Sequence, residues 1–418
     1  MATKTFASHL TFKGNLGRSR YSWLRLTPAY SVHLVSDILK DTMHHEQNMC
    51  VLDPFCGTGT TALVCAEQNI LCATTDINPF LIWLTQVKTN RYSANEIQNF
   101  LVMARQIAHH LARATGELSP WLPELSHIEK WWDAETLHIL SVAMDAIKTM
   151  ETTKAVSPSV IDLLKVVFCR VMIETSQASF RHQSMSFKPR LMVAAPLLLM
   201  PMSALASFLD LWNREMQMIA ESAASPIQTI PTVALGDARH LSQQLGEGEY
   251  SHVITSPPYP NRMSYVRELR PYMYWLGFLQ ESRDAGELDW QAIGGTWGCA
   301  TSNLSKWSAA PPITIPYPGY DDIINRIAEK SVVLSRYIEK YFYDMYGHCQ
   351  DIQKLVKHGG KVSYIIGNSK FYDEMLPTEA ILAAILQDGG FSKLQITPLR
   401  KRSSKKELFE FLVTAYKA

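Results

Sequence analysis

The stretch Met49–Thr61, MCVLDPFCGTGTT, decides how the rest of the chain is read. Met49 to Leu52 form a short apolar run suited to a buried strand, which ends at Asp53. Pro54, Gly57 and Gly59 interrupt both ladder and helix, and a helix is expected to begin near Ala62. A strand that turns through glycines into a helix leaves N–H groups free at the helix start and lets a ligand approach the backbone closely. The segment therefore reads as a nucleotide-type cradle. No G-K-[ST] follows to supply a phosphate lysine, and the third glycine of the dinucleotide fingerprint is missing, so phosphate binding is disfavoured.

Outward from this stretch, similar apolar runs recur, each closed by Asp, Gly or Pro. Leu71 to Thr75 ends at Asp76, Thr232 to Leu235 ends at Gly236-Asp237, and His252 to Thr255 ends at Ser256-Pro257-Pro258. Lys361 to Ile366 lies between Gly359-Gly360 and Gly367-Asn368, and a late strand pair is expected around Lys393 to Ile396 and Phe409 to Ala415. Helical stretches separate these runs, and that alternation predicts an α/β domain with a mostly parallel sheet. Between the second and third strands, about Ala94 to Ser225, apolar residues such as Ile161, Leu164, Phe168 and Met172 keep helical spacing and predict a helical insertion. A second stretch, Glu281 to Tyr320, carries Gly294-Gly295, Pro311-Pro312 and Pro316 with Trp290, Trp297 and Trp307, and reads as a loop or lid.

Composition narrows the class. With 418 residues, 47% hydrophobic and 19% charged, the chain has the make-up of a folded globular protein rather than a disordered or fibrous one. Forty Lys and Arg against 39 Asp and Glu leave a formal charge of +1, so any nucleic-acid site must be a local patch. The seven cysteines form no C-x-x-C pair and the thirteen histidines show no metal-like spacing, so no metal site is expected and the histidines receive no role. Neither a signal peptide nor a membrane span is recognisable, since the most apolar segment, Leu191 to Met202, is short and broken by Pro196 and Pro201. A cytoplasmic protein with reduced thiols is the expectation.

Two further acids stand at strand ends. Asp76 lies where a carboxylate can accept hydrogen bonds from ribose hydroxyls in doubly wound sheets, and Asp237 where one could accept from an adenine amino group. Helix capping by these aspartates is the alternative. The fourth run ends in Thr255–Arg262, TSPPYPNR, a composition that no ordinary turn requires. With DPFCGTGT (Asp53–Thr60), DINP (Asp76–Pro79) and TSPPY (Thr255–Tyr259) in that order, the chain resembles the S-adenosylmethionine-dependent amino methyltransferases of the DNA adenine-N6/cytosine-N4 family. Arg18–Ser31, RSRYSWLRLTPAYS, is similar to the family segment that closes over the methionine end of the cofactor, and GGKVSYIIGNS (Gly359–Ser369) resembles its fifth strand.

The resemblance implies a doubly wound, mostly parallel seven-stranded sheet, Rossmann-like as in class I methyltransferases, with the helical insertion added. It divides the chain into a cofactor-binding half (1–95), the insertion with a suggested part in target recognition (96–228) and a catalytic half (229–418). It assigns S-adenosylmethionine to Thr27, Asp53, Pro54, Phe55, Gly57, Gly59, Thr60, Asp76, Ile77, Asp237 and Ala238. In the catalytic turn of Ser256, Pro257, Pro258 and Tyr259, the Ser256 hydroxyl and Pro257 carbonyl would accept from the target amino group while Tyr259 stacks on the base. An exocyclic base nitrogen is a poor nucleophile because its lone pair is delocalised into the ring, so orientation is the main contribution required. The activated donor needs no metal and no covalent nucleophile, and Cys56 is then a small buried loop residue.

DNA is the implied partner, either single-stranded or a duplex with the base flipped out; a companion restriction endonuclease and the oligomeric state stay open. Arg262 and Arg267 past the catalytic turn, and Arg400 and Arg402 near the C-terminus, are the candidate nucleic-acid contacts. Ser256 at the first catalytic position favours cytosine N4 over adenine N6 within the family. An RNA guanine-N2 methyltransferase, a protein-glutamine methyltransferase and a non-catalytic nucleic-acid-binding subunit rank behind. The first two usually carry Asp or Asn where this chain has Ser256, and the intact turns weigh against the third.

Overall fold

The computed structural model describes residues 15, 17, 19–24, 26, 30–43, 49–113, 121–179, 186–187, 203–261, 264–295, 299–402 and 407–418. Seven strands form the main sheet: β1 (Cys50–Asp53), β2 (Leu71–Asp76), β3 (Thr232–Leu235), β4 (Tyr250–Thr255), β5 (Val356–Gly367), β6 (Phe391–Lys401) and β7 (Phe409–Lys417). Their spatial order is β3-β2-β1-β4-β5-β7-β6, parallel throughout except for β7, which runs antiparallel to both neighbours. β4 is buried at every position and β1 at all but Cys50, as expected of central parallel strands covered on both faces, whereas β3 at the edge is partly exposed along its length.

Strand order reverses between β1 and β4. Val51 pairs with His252 and Leu52 with Val253 in parallel register, so both strands end at the same edge. In doubly wound sheets this is where the crevice for a ligand opens. The DPFCGTGT and TSPPY turns leave from these two neighbouring ends.

Helices cover both faces. α1 (Val32–Met43) and α2 (Thr60–Glu67) share an apolar cluster with β1 and β2, while α3 (Pro79–Thr89) starts where the Asn78 side chain accepts from the Phe80 N–H with Pro79 in the first turn. Between β2 and β3 come α4 (Ala94–Arg113), α5 (Ala134–Thr152), α6 (Pro158–Glu174) and α7 (Ala204–Ala223), with a two-stranded ribbon of Ala178–Ser179 and Ser186–Phe187 after α6. These four helices pack on one another and on α3 and α8 (Tyr265–Trp275) through a core that includes Trp132, Phe168, Trp212 and Trp275. Beyond α8 lie α9 (Asp284–Gln291), α10 (Cys299–Leu304), α11 (Tyr320–Lys330), the long α12 (Val332–Leu355), and α13 (Thr378–Asp388) between β5 and β6. Among the described residues no helix is long and apolar enough to cross a membrane.

Three readings of the sequence change in detail. The fifth strand begins at Val356 rather than Lys361, because Gly359-Gly360 lies within it: pairing to β4 slips between Tyr250/Val356 and His252/Lys361, so the glycines mark an irregularity inside the strand. The late hairpin is longer than expected and carries register shifts between Ser392 and Gln395 and between Pro398 and Arg400. The stretch 281–320 is not simply a loop, since it contains α9 and α10. The Asp284 carboxylate accepts from the N–H groups of Gln280 and Glu281 just before α9, and the Lys340 ammonium lies 4.9 Å from the Trp290 ring centroid.

One N-terminal residue ties the insertion to the sheet. Arg20, 2% exposed, donates to the carbonyls of Lys88 and Asn90 at the end of α3 and to those of Ser222, Ala223 and Ser225 at the end of α7. A guanidinium suits this place, because the last carbonyls of a helix lack intrahelical donors and carry partial negative charge. Nearby, Trp23 Nε1 donates to Ser222 Oγ, and Arg170 donates to the Ser22 and Trp23 carbonyls.

Candidate active site

The cofactor turn is built from glycine conformation and buried polar anchors. Gly57 and Gly59 have φ of 49° and 75°, the left-handed region, and a Cβ on Gly59 would come within 2.7 Å of Thr85 Oγ1. Gly59 caps α2, whose first-turn N–H groups have no intrahelical acceptor. Underneath, the buried Lys88 ammonium donates to the Thr58 carbonyl at 2.9 Å, and burial pulls its pKa down to about 7. Cys56 is buried against Thr85, and burial pushes its thiol well above the ordinary range, which disfavours the thiolate.

Asp76 stands at the end of β2. Its Oδ2 accepts from the Gly57 N–H at 3.0 Å and its Oδ1 from the Asn78 N–H at 2.9 Å. Burial raises its pKa to about 6 against the pull of those donors. Each carboxylate oxygen keeps a further lone-pair direction, which is what ribose hydroxyls require. Asp237 lies beyond β3. Burial alone would raise its pKa, but hydrogen bonds from Arg239 hold it below the ordinary carboxylate value. Arg239 in turn donates to Asp344 on α12 at 2.8 Å, and Lys340 donates to the same carboxylate at 2.6 Å.

Asp53 joins the two turns. The side chain is fully buried, and Oδ1 accepts from Thr255 Oγ1 at 2.6 Å and from the Phe55 N–H at 3.2 Å. Tyr30, from the N-terminal segment, donates to Oδ2 at 3.2 Å and also bonds Thr61 Oγ1. With no cation among these partners, burial pushes the Asp53 carboxyl up to about 7.

In the catalytic turn, Ser256 Oγ donates to the Ile365 carbonyl of β5 at 3.0 Å. Tyr341 on α12 donates to the Pro258 carbonyl at 2.8 Å. Tyr259 is held on several sides: its hydroxyl donates to Glu410 Oε1 at 2.9 Å, and the Arg402 guanidinium lies 5.0 Å from its ring centroid. A Cβ on Gly367 would come within 3.0 Å of the ring and 2.6 Å of the Arg402 guanidinium, so any side chain here would have to displace one of them.

The sequence-derived residues thus fall into distinct groups. Asp53, Phe55, Gly57, Gly59, Thr60, Asp76 and Ser256 to Tyr259 surround the ends of β1, β2 and β4, with Pro54 and Ile77 inside the same turns. Asp237 and Ala238 follow β3, and Phe55 meets His348 edge-on at 4.9 Å beside Ala238. Arg267 is exposed on α8. Arg400 and Arg402 differ from it: Arg400 pairs with Glu410 at 2.7 Å, and Arg402 donates to the Asn368 carbonyl while covering Tyr259. Both therefore line the catalytic turn from the C-terminal hairpin. Thr27 and Arg262 lie outside the described residues.

Sequence reasoning missed the supporting shell: Thr255, Tyr341, His348, Arg239, Asp344 and Glu410. His348, without a role from spacing alone, is fully buried, with Nδ1 2.8 Å from the Ala238 carbonyl and Nε2 2.8 Å from the Tyr364 hydroxyl. A carbonyl only accepts, so Nδ1 carries the proton and Nε2 accepts from Tyr364. Burial lowers its pKa to about 4, keeping the ring neutral. The one available signal was polar residues at helical spacing on an otherwise apolar helix face, Tyr341, Asp344, His348 and Asp351.

These groups fit S-adenosylmethionine: a glycine turn opening a helix, an acid with spare lone pairs at the end of β2, and an aromatic pair beside the turn after β3. Residues 33–114 match the family model described as D12 class N6 adenine-specific DNA methyltransferase. The Type II methyltransferase M.BsoBI of Geobacillus stearothermophilus is 20% identical over 96% of this chain and 84% of its own length. Among solved structures, the rRNA methyltransferase aviRa from Streptomyces viridochromogenes is 9% identical over 97% of this chain and 96% of its own, with a TM-score of 0.29, too loose a likeness to bear on fold or function. The ordered motifs, the sheet whose reversal brings them together and the first two matches liken this chain to the S-adenosylmethionine-dependent DNA amino-methyltransferases.

Proposed function

We propose that the chain methylates the exocyclic amino nitrogen of a DNA base, cytosine N4 in the first place, and that Ser256 and Pro257 orient that nitrogen. The observation that carries this reading is the hydrogen bond from Ser256 Oγ to the Ile365 carbonyl. A hydroxyl has one proton and two lone pairs. With its proton engaged by β5, Ser256 faces a target amino group as an acceptor. The Pro258 carbonyl is engaged by Tyr341, while among the described residues no donor reaches the Pro257 carbonyl. Two acceptors in one turn would hold both N–H bonds of an amino group out of conjugation with the ring and aim its lone pair at the methyl donor. Bound S-adenosylmethionine supplies an activated methyl group, held by the Asp53–Thr60 turn, Asp76 and the 237–238 turn.

The remaining assignments rest on position. Tyr259, fixed by Glu410, Arg402 and Gly367, offers a rigid aromatic surface for a base taken out of the stack, which offsets part of a flipping cost of roughly a few kcal/mol. Arg267, exposed on α8 shortly after the catalytic turn, suits a phosphate contact. We assign target recognition to the insertion, 96–228, between the cofactor half, 1–95, and the catalytic half, 229–418. Adenine N6 is the second reading and is favoured by the D12 match over residues 33–114.

Labelled methyl transfer from S-adenosylmethionine to duplex DNA, single-stranded DNA and RNA, followed by mass spectrometry of the nucleosides, tests the proposal. N4-methylcytosine from DNA is expected. N6-methyladenine would select the second reading, and label confined to RNA would overturn both.

A further inference from the structure

The long helix α12 crosses behind both halves of the site, and its buried polar side chains recur on one face. Tyr341 donates to the Pro258 carbonyl, Asp344 takes Arg239 beside Asp237, His348 donates to the Ala238 carbonyl, and Asp351 accepts from the Ser242 N–H at 2.8 Å. Two of these contacts reach main-chain carbonyls of the site's own turns, and both side chains are almost wholly buried. We propose that Tyr341 and His348, two helical turns apart on α12, are positioning residues, Tyr341 for the catalytic turn and His348 for the cofactor turn after β3, so that one rigid helix sets the base-binding and cofactor-binding loops relative to each other. The Tyr341 arm rests on the function proposed above; the His348 arm requires only cofactor binding.

The chemistry differs at the two ends. Pro257 precedes a proline and is held extended, and successive carbonyls of an extended chain point in different directions. A donor that fixes the Pro258 carbonyl toward α12 therefore also fixes which way the Pro257 carbonyl faces. At the other end, His348 bridges two strands' worth of structure: Nδ1–H holds the Ala238 carbonyl, the Tyr364 hydroxyl of β5 holds Nε2, and the ring edge meets Phe55 of the cofactor turn. Tilting this imidazole would shift the 237–238 turn and Phe55 together.

The two roles predict opposite splits. In Tyr341→Phe, which loses only the hydroxyl, the single-turnover methylation rate at saturating cofactor should fall roughly tenfold to a hundredfold, while calorimetric affinity for S-adenosylmethionine moves by less than about twofold. In His348→Leu, cofactor affinity should fall by about tenfold, several times more than the saturating rate, and His348→Asn, whose amide N–H can reach the same carbonyl, should recover most of it. Melting temperatures measured on the same preparations separate positioning from general packing. If His348→Leu does not fold, the His348→Asn titration carries that arm, and weak cofactor binding by a normally stable Asn variant contradicts it. Both variants losing rate and affinity in proportion to stability, or neither losing anything, would overturn the proposal. A wild-type protein that binds cofactor but methylates no DNA would refute the proposed function, and the His348 arm would still stand or fall by calorimetry.

Discussion

Asp53 shows what a single residue does for this site. It receives the Thr255 hydroxyl of the catalytic strand, the Phe55 N–H of its own turn and the Tyr30 hydroxyl of the N-terminal segment, with no cation among these partners. Burial lifts its carboxyl from 3.8 to about 7, so the folded state binds a proton that the unfolded state releases. The sign follows: between about pH 4 and about pH 7 the native state holds more protons than the unfolded one, and the stabilisation present at low pH is lost as pH rises through the folded value. Asp53→Asn cannot ionise, so its melting temperature relative to wild type should rise across that window; a constant difference would show that the carboxyl titrates normally. His252 and His348, lowered by burial to about 3 and about 4, contribute the opposite slope below their ordinary value in both proteins and cancel from the comparison. The sequence identified Asp53 as the end of a strand beside a ligand turn. It could not show that the partner was Thr255, because that contact exists only once β1 and β4 pair.

At the scale of elements, the N-terminal segment and the insertion behave as one unit through Arg20, which satisfies carbonyls at the ends of α3 and α7 together. Arg20→Ala would leave those buried acceptors without their donor, at a cost of about 1–3 kcal/mol for each that water cannot reach, so thermal unfolding should show a loss of about 3 kcal/mol or more. A change below about 1 kcal/mol would mean that water takes the place of the guanidinium. Strands were the most legible elements because most show as a short apolar run closed by Asp, Gly or Pro. The glycine pair Gly359-Gly360 misled for the same reason: it looks like a terminus, and only the pairing to β4 reveals it inside β5. Glycines and tryptophans in 281–320 likewise concealed α9 and α10, whose few residues are too short for helical periodicity to emerge. α12 was legible as a helix but not as part of the site, since its contacts join residues far apart in sequence.

For the whole molecule, a formal charge of +1 means that DNA affinity has to come from where cations stand rather than how many there are. Of the candidate contacts read from the sequence, Arg400 pairs with Glu410 and Arg402 turns onto Tyr259, whereas Arg267 is exposed. If Arg267 meets a phosphate, Arg267→Ala should reduce the slope of log K against log salt by about one, while Arg400→Ala should leave that slope unchanged. Equal slopes for Arg267→Ala and wild type would remove it from the DNA contacts. All of this depends on the two turns at the β1/β4 reversal acting as a single site, cofactor on one side and target nitrogen on the other. The most direct test is Ser256→Ala, assayed on one preparation for S-adenosylmethionine affinity by calorimetry and for single-turnover methyl transfer to DNA. Cofactor affinity within about twofold of wild type and a transfer rate lowered by about tenfold or more are expected; an unchanged rate, or affinity and rate falling together, would contradict a shared site.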